Sequence, residues 1–194
     1  MKRTALLLTA FFALVMAANA QIEIGATMDN FTLPGTDGKE HSLNSLKGDK
    51  GAVVMFLSAQ CPVVKGYIER INAVAADYKA KGITFIGVNS NVTEDLAWVK
   101  SDGDQNFKFP MLIDKGNKLA DKLGATVTPE AYYVDAKNVL LYHGAIDNDR
   151  SGKNITDTYL RAAFDQSLAG KKVENTKKNA FGCTIKKVKV AEAQ

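Results

Sequence analysis

The stretch that decides the fold is "AVVMFLSAQCPVVKGYIERI", residues 52–71, where a continuous apolar run meets a cysteine and a proline and the hydrophobic period then changes. Ala52 to Leu57 has the length of a strand buried on both faces. From Pro62 to Lys81, apolar residues recur at three- and four-residue steps: Val64, Tyr67, Ile68, Ile71, Val74, Ala75 and Tyr78. That is one face of a helix. Pro62 suits the first helical position, where its missing N–H costs nothing, and Gly82 suits the stop. Cys61 therefore stands where a buried strand turns into the longest helix.

At that corner, the orphan N–H groups of the first turn and the helix dipole stabilise an anion. A cysteine there is expected to have a lowered pKa and a reactive thiolate. The alternative is an inert cysteine packed as a small hydrophobe. The helix-start position favours reactivity, and sites in open α/β sheets lie at this edge.

Working outward, "FTLPGTDGKEHSL" (31–43) alternates around a glycine-assisted turn and reads as a β-hairpin. "ITFIGVNSN" (83–91) is a second apolar strand. A short helix should follow, opened by Thr93 with Glu94 and Asp95 in its first turn. "PMLID" reads as a strand, "NKLADKLGA" as a helix, and "AYYVD" and "VLLYHG" as a hairpin around "AKN". A last amphipathic helix runs from about Thr156 to Leu168. Strand, helix and strand, then a hairpin and a closing helix, predict a central mixed sheet with helices on both faces.

The first twenty residues, "MKRTALLLTAFFALVMAANA", have the form of a signal peptide: a basic start, an apolar run and small residues at the cut. The run is too short to span a bilayer, so no stable membrane anchor is expected. The expected product is an exported protein, periplasmic or secreted after cleavage near Ala20, with a single domain over residues 21–170. Residues 171–194 form a lysine-rich tail that carries Cys183. Removing Lys2 and Arg3 lowers the formal net charge from +4 to +2. The tail lysines read as solvated, and no nucleic-acid partner is expected.

Of the two cysteines, Cys61 and Cys183, the second is far along the chain. Outside the cytoplasm the two form a plausible pair, which leaves three readings open: a resolving thiol, a permanent staple, or two sulfurs that never meet. His41 and His143 are scattered singly rather than at ligand spacing, so neither a metal nor a cofactor is called for. His143 as a base for a thiol takes second place to a structural role. Asp147 and Asn148 read as turn residues, and Trp98 as packing.

In order and spacing, "FTLPGTDGKEHSL", "AVVMFLSAQCP", "VTPEAYYVD" and "VLLYHGAID" resemble the thioredoxin-like superfamily. The branch is the redoxin group, which includes peroxiredoxins (alkyl hydroperoxide reductase/thiol-specific antioxidant) and exported thiol–disulfide oxidoreductases. The resemblance implies an α/β thioredoxin-like fold with an N-terminal β-hairpin extension. Cys61 matches the reactive cysteine, and Thr128–Pro129 matches the loop whose cis-proline faces it. Pro62 then borders the substrate cleft.

The departures bear on function. The second cysteine of Cys-x-x-Cys is Val64 here. In the peroxiredoxin pattern Pro-x-x-x-Thr-x-x-Cys, Ser58 keeps the hydroxyl and Val54 replaces the proline. Arg150 is the only candidate for a peroxide-binding arginine. The expected function is thiol–disulfide exchange by Cys61, with Cys183 as the candidate resolving thiol. Its partners would be protein or small-molecule thiols and disulfides, and an external thiol reductant. The alternatives are a thiol peroxidase acting on hydroperoxide and a binding module that has kept the fold without turnover.

Overall fold

The computed structural model describes residues 21–188; the expected signal peptide and the last six residues lie outside them. In chain order the elements are β1 (Thr32–Pro34), β2 (Glu40–Ser42), α1 (Leu43–Leu46), β3 (Gly51–Leu57), α2 (Pro62–Lys79), β4 (Ile83–Asn89), α3 (Leu96–Asn106) and β5 (Met111–Ile113). There follow α4 (Lys118–Leu123), β6 (Val127–Thr128), β7 (Glu130–Asp135), β8 (Leu140–Gly144), α5 (Tyr159–Leu168), β9 (Lys177–Lys178) and β10 (Cys183–Thr184).

The central sheet has the order β5-β4-β3-β7-β8-β9. β3, β4 and β5 run parallel, β7 and β8 are antiparallel, and β9 joins β8 in parallel. The expected mixed sheet is present, and the architecture is thioredoxin-like. β1 and β2 form the separate N-terminal hairpin. α1 was not anticipated; it is a single turn held by a capping box between Ser42 and Ser45.

β3 is buried along its whole length because it is covered on both faces. Val53, Met55 and Leu57 join one core cluster with Tyr67, Ile71 and Tyr78 of α2 and Leu160 and Phe164 of α5. Ala52, Val54 and Phe56 join the other with Leu43 of α1 and Leu119, Ala120 and Leu123 of α4. The period of two in β3 thus sorts its side chains between two helix layers.

Three expected boundaries move. α2 stops at Lys79, not Lys81. α3 begins at Leu96, where Asp95 accepts the Trp98 N–H as cap, so Thr93 and Glu94 are not in it. α5 begins at Tyr159 rather than Thr156. Trp98, expected to pack, is 46 % exposed, since the buried stripe of α3 is only Val99 and Gly103.

Candidate active site: the Cys61–Cys183 corner

β3 and β4 end side by side, with Leu57 opposite Asn89, so the loops that follow them share one edge of the sheet. The backbone from Ser58 to Gln60 turns from strand to helix around one carboxylate. Glu94 accepts from the Ser58 hydroxyl at 2.5 Å, from the Ala59 and Gln60 N–H groups at 3.0 Å each, and from Asn89 Nδ2 at 2.5 Å. Charge-assisted bonds of this kind are the strong ones, and four of them fix the corner. Nothing in "NVTED" distinguished Glu94 from an ordinary first-turn acid.

Cys61 is the N-cap of α2, in extended conformation, 2 % exposed, and Pro62 follows at the first helical position. Because Pro62 has no N–H, the nearest free donors of the first turn are those of Val63 and Val64. Val64 is 1 % exposed and belongs to the core, so the position of the missing second cysteine is a packing position here.

The Thr128–Pro129 peptide bond is cis, and the loop faces Cys61 as the resemblance implied. Cys61 Sγ lies 3.4 Å from the Thr128 carbonyl oxygen. Cys61 and Cys183 are joined in a disulfide with their Cα atoms 5.8 Å apart, an ordinary span for such a bond. Cys183 is the more accessible of the two sulfur-bearing residues, half-buried where Cys61 is buried.

β10 places it there. Cys183 pairs with Thr128 and Thr184 with Val127, antiparallel, and the Thr128 hydroxyl donates to the Cys183 carbonyl at 3.5 Å. Gly182 lies so close to Thr128 that a Cβ would overlap its carbonyl, so only glycine allows the approach.

The cis-proline loop is held from behind. Glu130 Oε2 accepts the Thr126 and Val127 N–H groups at 2.9 and 3.3 Å, and Glu130 Oε1 meets His143 Nε2 at 2.6 Å. His143 is 6 % exposed and stacks on Tyr132, 4.1 Å between ring centroids. Its contacts are with this support rather than with a sulfur, in keeping with a structural role.

Other candidate residues sit elsewhere. The Ser58 hydroxyl donates its hydrogen to Glu94, which leaves it no donor to offer a peroxide oxygen and only its lone pairs as acceptors. Arg150 is exposed in the loop after β8, and no ion pair or hydrogen bond involves its side chain among the described residues. Only its carbonyl is used, accepting from Arg70 Nη2 at 3.1 Å. Asp147 does turn the chain, accepting the Asp149 N–H at 3.2 Å, and it has a second role that the turn reading did not include. It is 3 % exposed, pairs with Arg70 at 2.6 Å and accepts from the Tyr67 hydroxyl at 2.9 Å, which ties α2 to the segment after β8. Burial first, and then the Asp147 carboxylate, push the Tyr67 phenol well above its usual range.

Residues 24–143 match the model of the AhpC/TSA family. Thiol-disulfide oxidoreductase ResA of Bacillus thuringiensis (strain Al Hakam) is 29 % identical over 119 residues, covering 61 % of this chain and 68 % of that protein. A hypothetical protein from Sinorhizobium meliloti 1021 superposes with a TM-score of 0.79 at 33 % identity, over 87 % of this chain and 97 % of that one. An uncharacterized conserved protein from Geobacillus kaustophilus gives 0.81 at 30 %, over 87 % and 94 %.

Proposed function

The chain belongs to the AhpC/TSA family and is a thiol-based oxidoreductase, and from that premise we propose an exported thiol–disulfide oxidoreductase in which Cys61 attacks and Cys183 resolves. The observation that carries the reading is the Cys61–Cys183 disulfide at the strand–helix corner, facing the cis-proline loop.

In the dithiol form, the Cys61 thiolate is stabilised by the first-turn N–H groups of α2. It attacks one sulfur of a substrate disulfide, and the other sulfur leaves as a thiolate. The Cys183 thiolate then attacks Cys61 Sγ, which releases the second substrate thiol and leaves the protein disulfide. An external thiol reductant enters at Cys183, the more exposed sulfur, with the helix-stabilised Cys61 thiolate as the leaving group. A second reductant thiol then attacks the reductant sulfur of the mixed disulfide, which frees Cys183 and leaves the reductant as a disulfide. Pro129 and Thr128 shape the cleft over Cys61, and Pro62 borders it.

Export fits a protein that rests as a disulfide, since such bonds persist in oxidising compartments. A peroxidase reading is weakened by the engagement of the Ser58 hydroxyl with Glu94. In a binding module without turnover the bond would serve only as a staple, which needs neither the helix-start position of Cys61 nor the facing cis-proline loop. The test is to isolate the natively exported protein, alkylate free thiols and compare intact and peptide masses with and without reductant. A 61–183 disulfide that reductant opens and a mild disulfide oxidant restores is the expected result. Two permanently free thiols, or a bond that no folded-state reductant opens, would sink the cycle.

A further inference from the structure

Beyond Cys183 the tail continues in extended form, and its backbone is bonded at almost every step. The Ile185 N–H donates to the Thr126 carbonyl at 2.9 Å, and the Val92 N–H donates to the Lys186 carbonyl at 3.0 Å. The Lys186 N–H donates to Asn91 Oδ1 at 2.9 Å, and the Val188 N–H to Asn117 Oδ1 at 2.8 Å. Asn91 and Asn117 come from different loops at the C-terminal edge of the sheet and are 8 % and 1 % exposed, so they are built into the floor rather than draped over it. Asn91 Nδ2 is buried and has no partner among the described residues, which leaves one donor of the floor still to be used.

The side chains of the tail behave differently. Thr184, Lys186, Lys187 and Val188 are exposed. Ile185 alone is 3 % exposed and enters the core cluster that includes Leu119, Ala120 and Ala125. Lys187 adds one surface ion pair with Asp121 at 2.7 Å. A groove that binds main chain at most steps and buries a single side chain has the physics of strand addition: the backbone supplies affinity and one socket supplies selection.

We propose that residues 126–128, Asn91, Val92 and Asn117 form an acceptor groove for an extended polypeptide whose cysteine reacts with Cys61, and that this groove selects an aliphatic residue two positions after that cysteine. The chain's own segment 183–188 is the tethered occupant and leaves when the disulfide is reduced. The inference rests on the thiol–disulfide reading and names its substrate class.

The test uses the full chain with Cys183→Ala, so that Cys61 is the sole thiol. The probes are two peptides, Gly-Cys-Thr-Ile-Lys-Lys and its counterpart with aspartate for isoleucine, each with its cysteine in a mixed disulfide with nitrothiobenzoate. Cys61 attacks the peptide sulfur, a Cys61–peptide disulfide forms, and nitrothiobenzoate leaves as a coloured thiolate that reports the rate. The isoleucine peptide should react at least about tenfold faster than the aspartate peptide, the effect of losing one buried aliphatic contact. Adding Ile185→Lys, which removes the released tail's residual competition for the groove, should speed the isoleucine peptide further. In that double variant, Asn91→Ala should slow it about fivefold, the worth of one hydrogen bond. A small aromatic disulfide should be indifferent to Asn91→Ala. Equal rates for both peptides, with the small disulfide reacting quickly, would overturn the groove and leave the redox reading intact. A Cys61 that reacts with neither peptide nor small disulfide would overturn both.

Discussion

Removing the sulfur of Cys183 tests the long loop on which the site depends. Cys61 and Cys183 are 122 residues apart in sequence, so the bond closes most of the folded chain into one ring. Loop-closure entropy for a ring of that size amounts to about 5 kcal/mol at 25 °C, and measured disulfides of this kind commonly give about 2–4 kcal/mol. In a domain of this length each kcal/mol moves the melting temperature by about 2–4 °C. Cys183→Ser should therefore lower the melting temperature by roughly 10 °C. The half-buried serine adds little of its own, and release of the tail from its groove is common to the variant and the reduced wild type. Thermal melts followed by circular dichroism on oxidised wild type, reduced wild type and the variant make the comparison. Reduced wild type and Cys183→Ser should melt together, well below the oxidised protein. Coincident melting of all three, within about 2 °C, would refute the reasoning, because no long loop could then be closed in the native protein.

Three further outcomes follow from neighbouring parts of the structure. Asp147→Ala strands the Arg70 guanidinium in a half-buried position and should cost about 3–5 kcal/mol in chemical denaturation, with partial recovery on adding Arg70→Met; a cost below about 1 kcal/mol would show the pair to be idle. Glu94→Ala frees the 58–60 corner and removes a negative charge near it. Both effects should speed alkylation of Cys61 in the reduced protein, and an unchanged rate would separate Glu94 from the site. At alkaline pH, burial pushes the Tyr78 phenol up to about 12 and raises those of Tyr67, Tyr132 and Tyr142 as well. Their folded pKa values lie above the unfolded value, so this contribution to stability is complete below about pH 10 and is lost as the pH climbs through 12. An ultraviolet titration should show these phenolates emerging together with loss of secondary structure; smooth ionisation in the folded protein would contradict it.

The elements that pattern alone specifies were legible. The run Ala52–Leu57 announces a strand covered on both faces, the three- and four-residue spacing from Val64 to Tyr78 announces a helix, and Cys61 falls between them because of that change of period. Pro129 was visible as a cis-proline only through the family resemblance, since a lone proline before a strand has an ordinary use. What the sequence hides is what depends on distant partners. Glu94 looks like a helix-start acid until the 58–60 loop is brought to it, and Asp147 looks like a turn residue until Arg70 arrives from α2. The two-residue strands β9 and β10 carry no periodicity at all. They exist because β8 and β6 offer open edges, and because Gly182 lets the backbone approach.

The separate anchoring of the tail has a kinetic consequence. β9 is hydrogen-bonded into the central sheet through Lys177 and Lys178, independently of any sulfur bond. When the disulfide opens, Cys183 remains tethered five residues from that anchor, a reach of at most about 17–18 Å. A thiol confined to such a volume is present at Cys61 at an effective concentration of millimolar or more. Closure is then a unimolecular event whose speed does not depend on how dilute the protein is. A free monothiol competes for the Cys61 adduct only when its own concentration reaches that range.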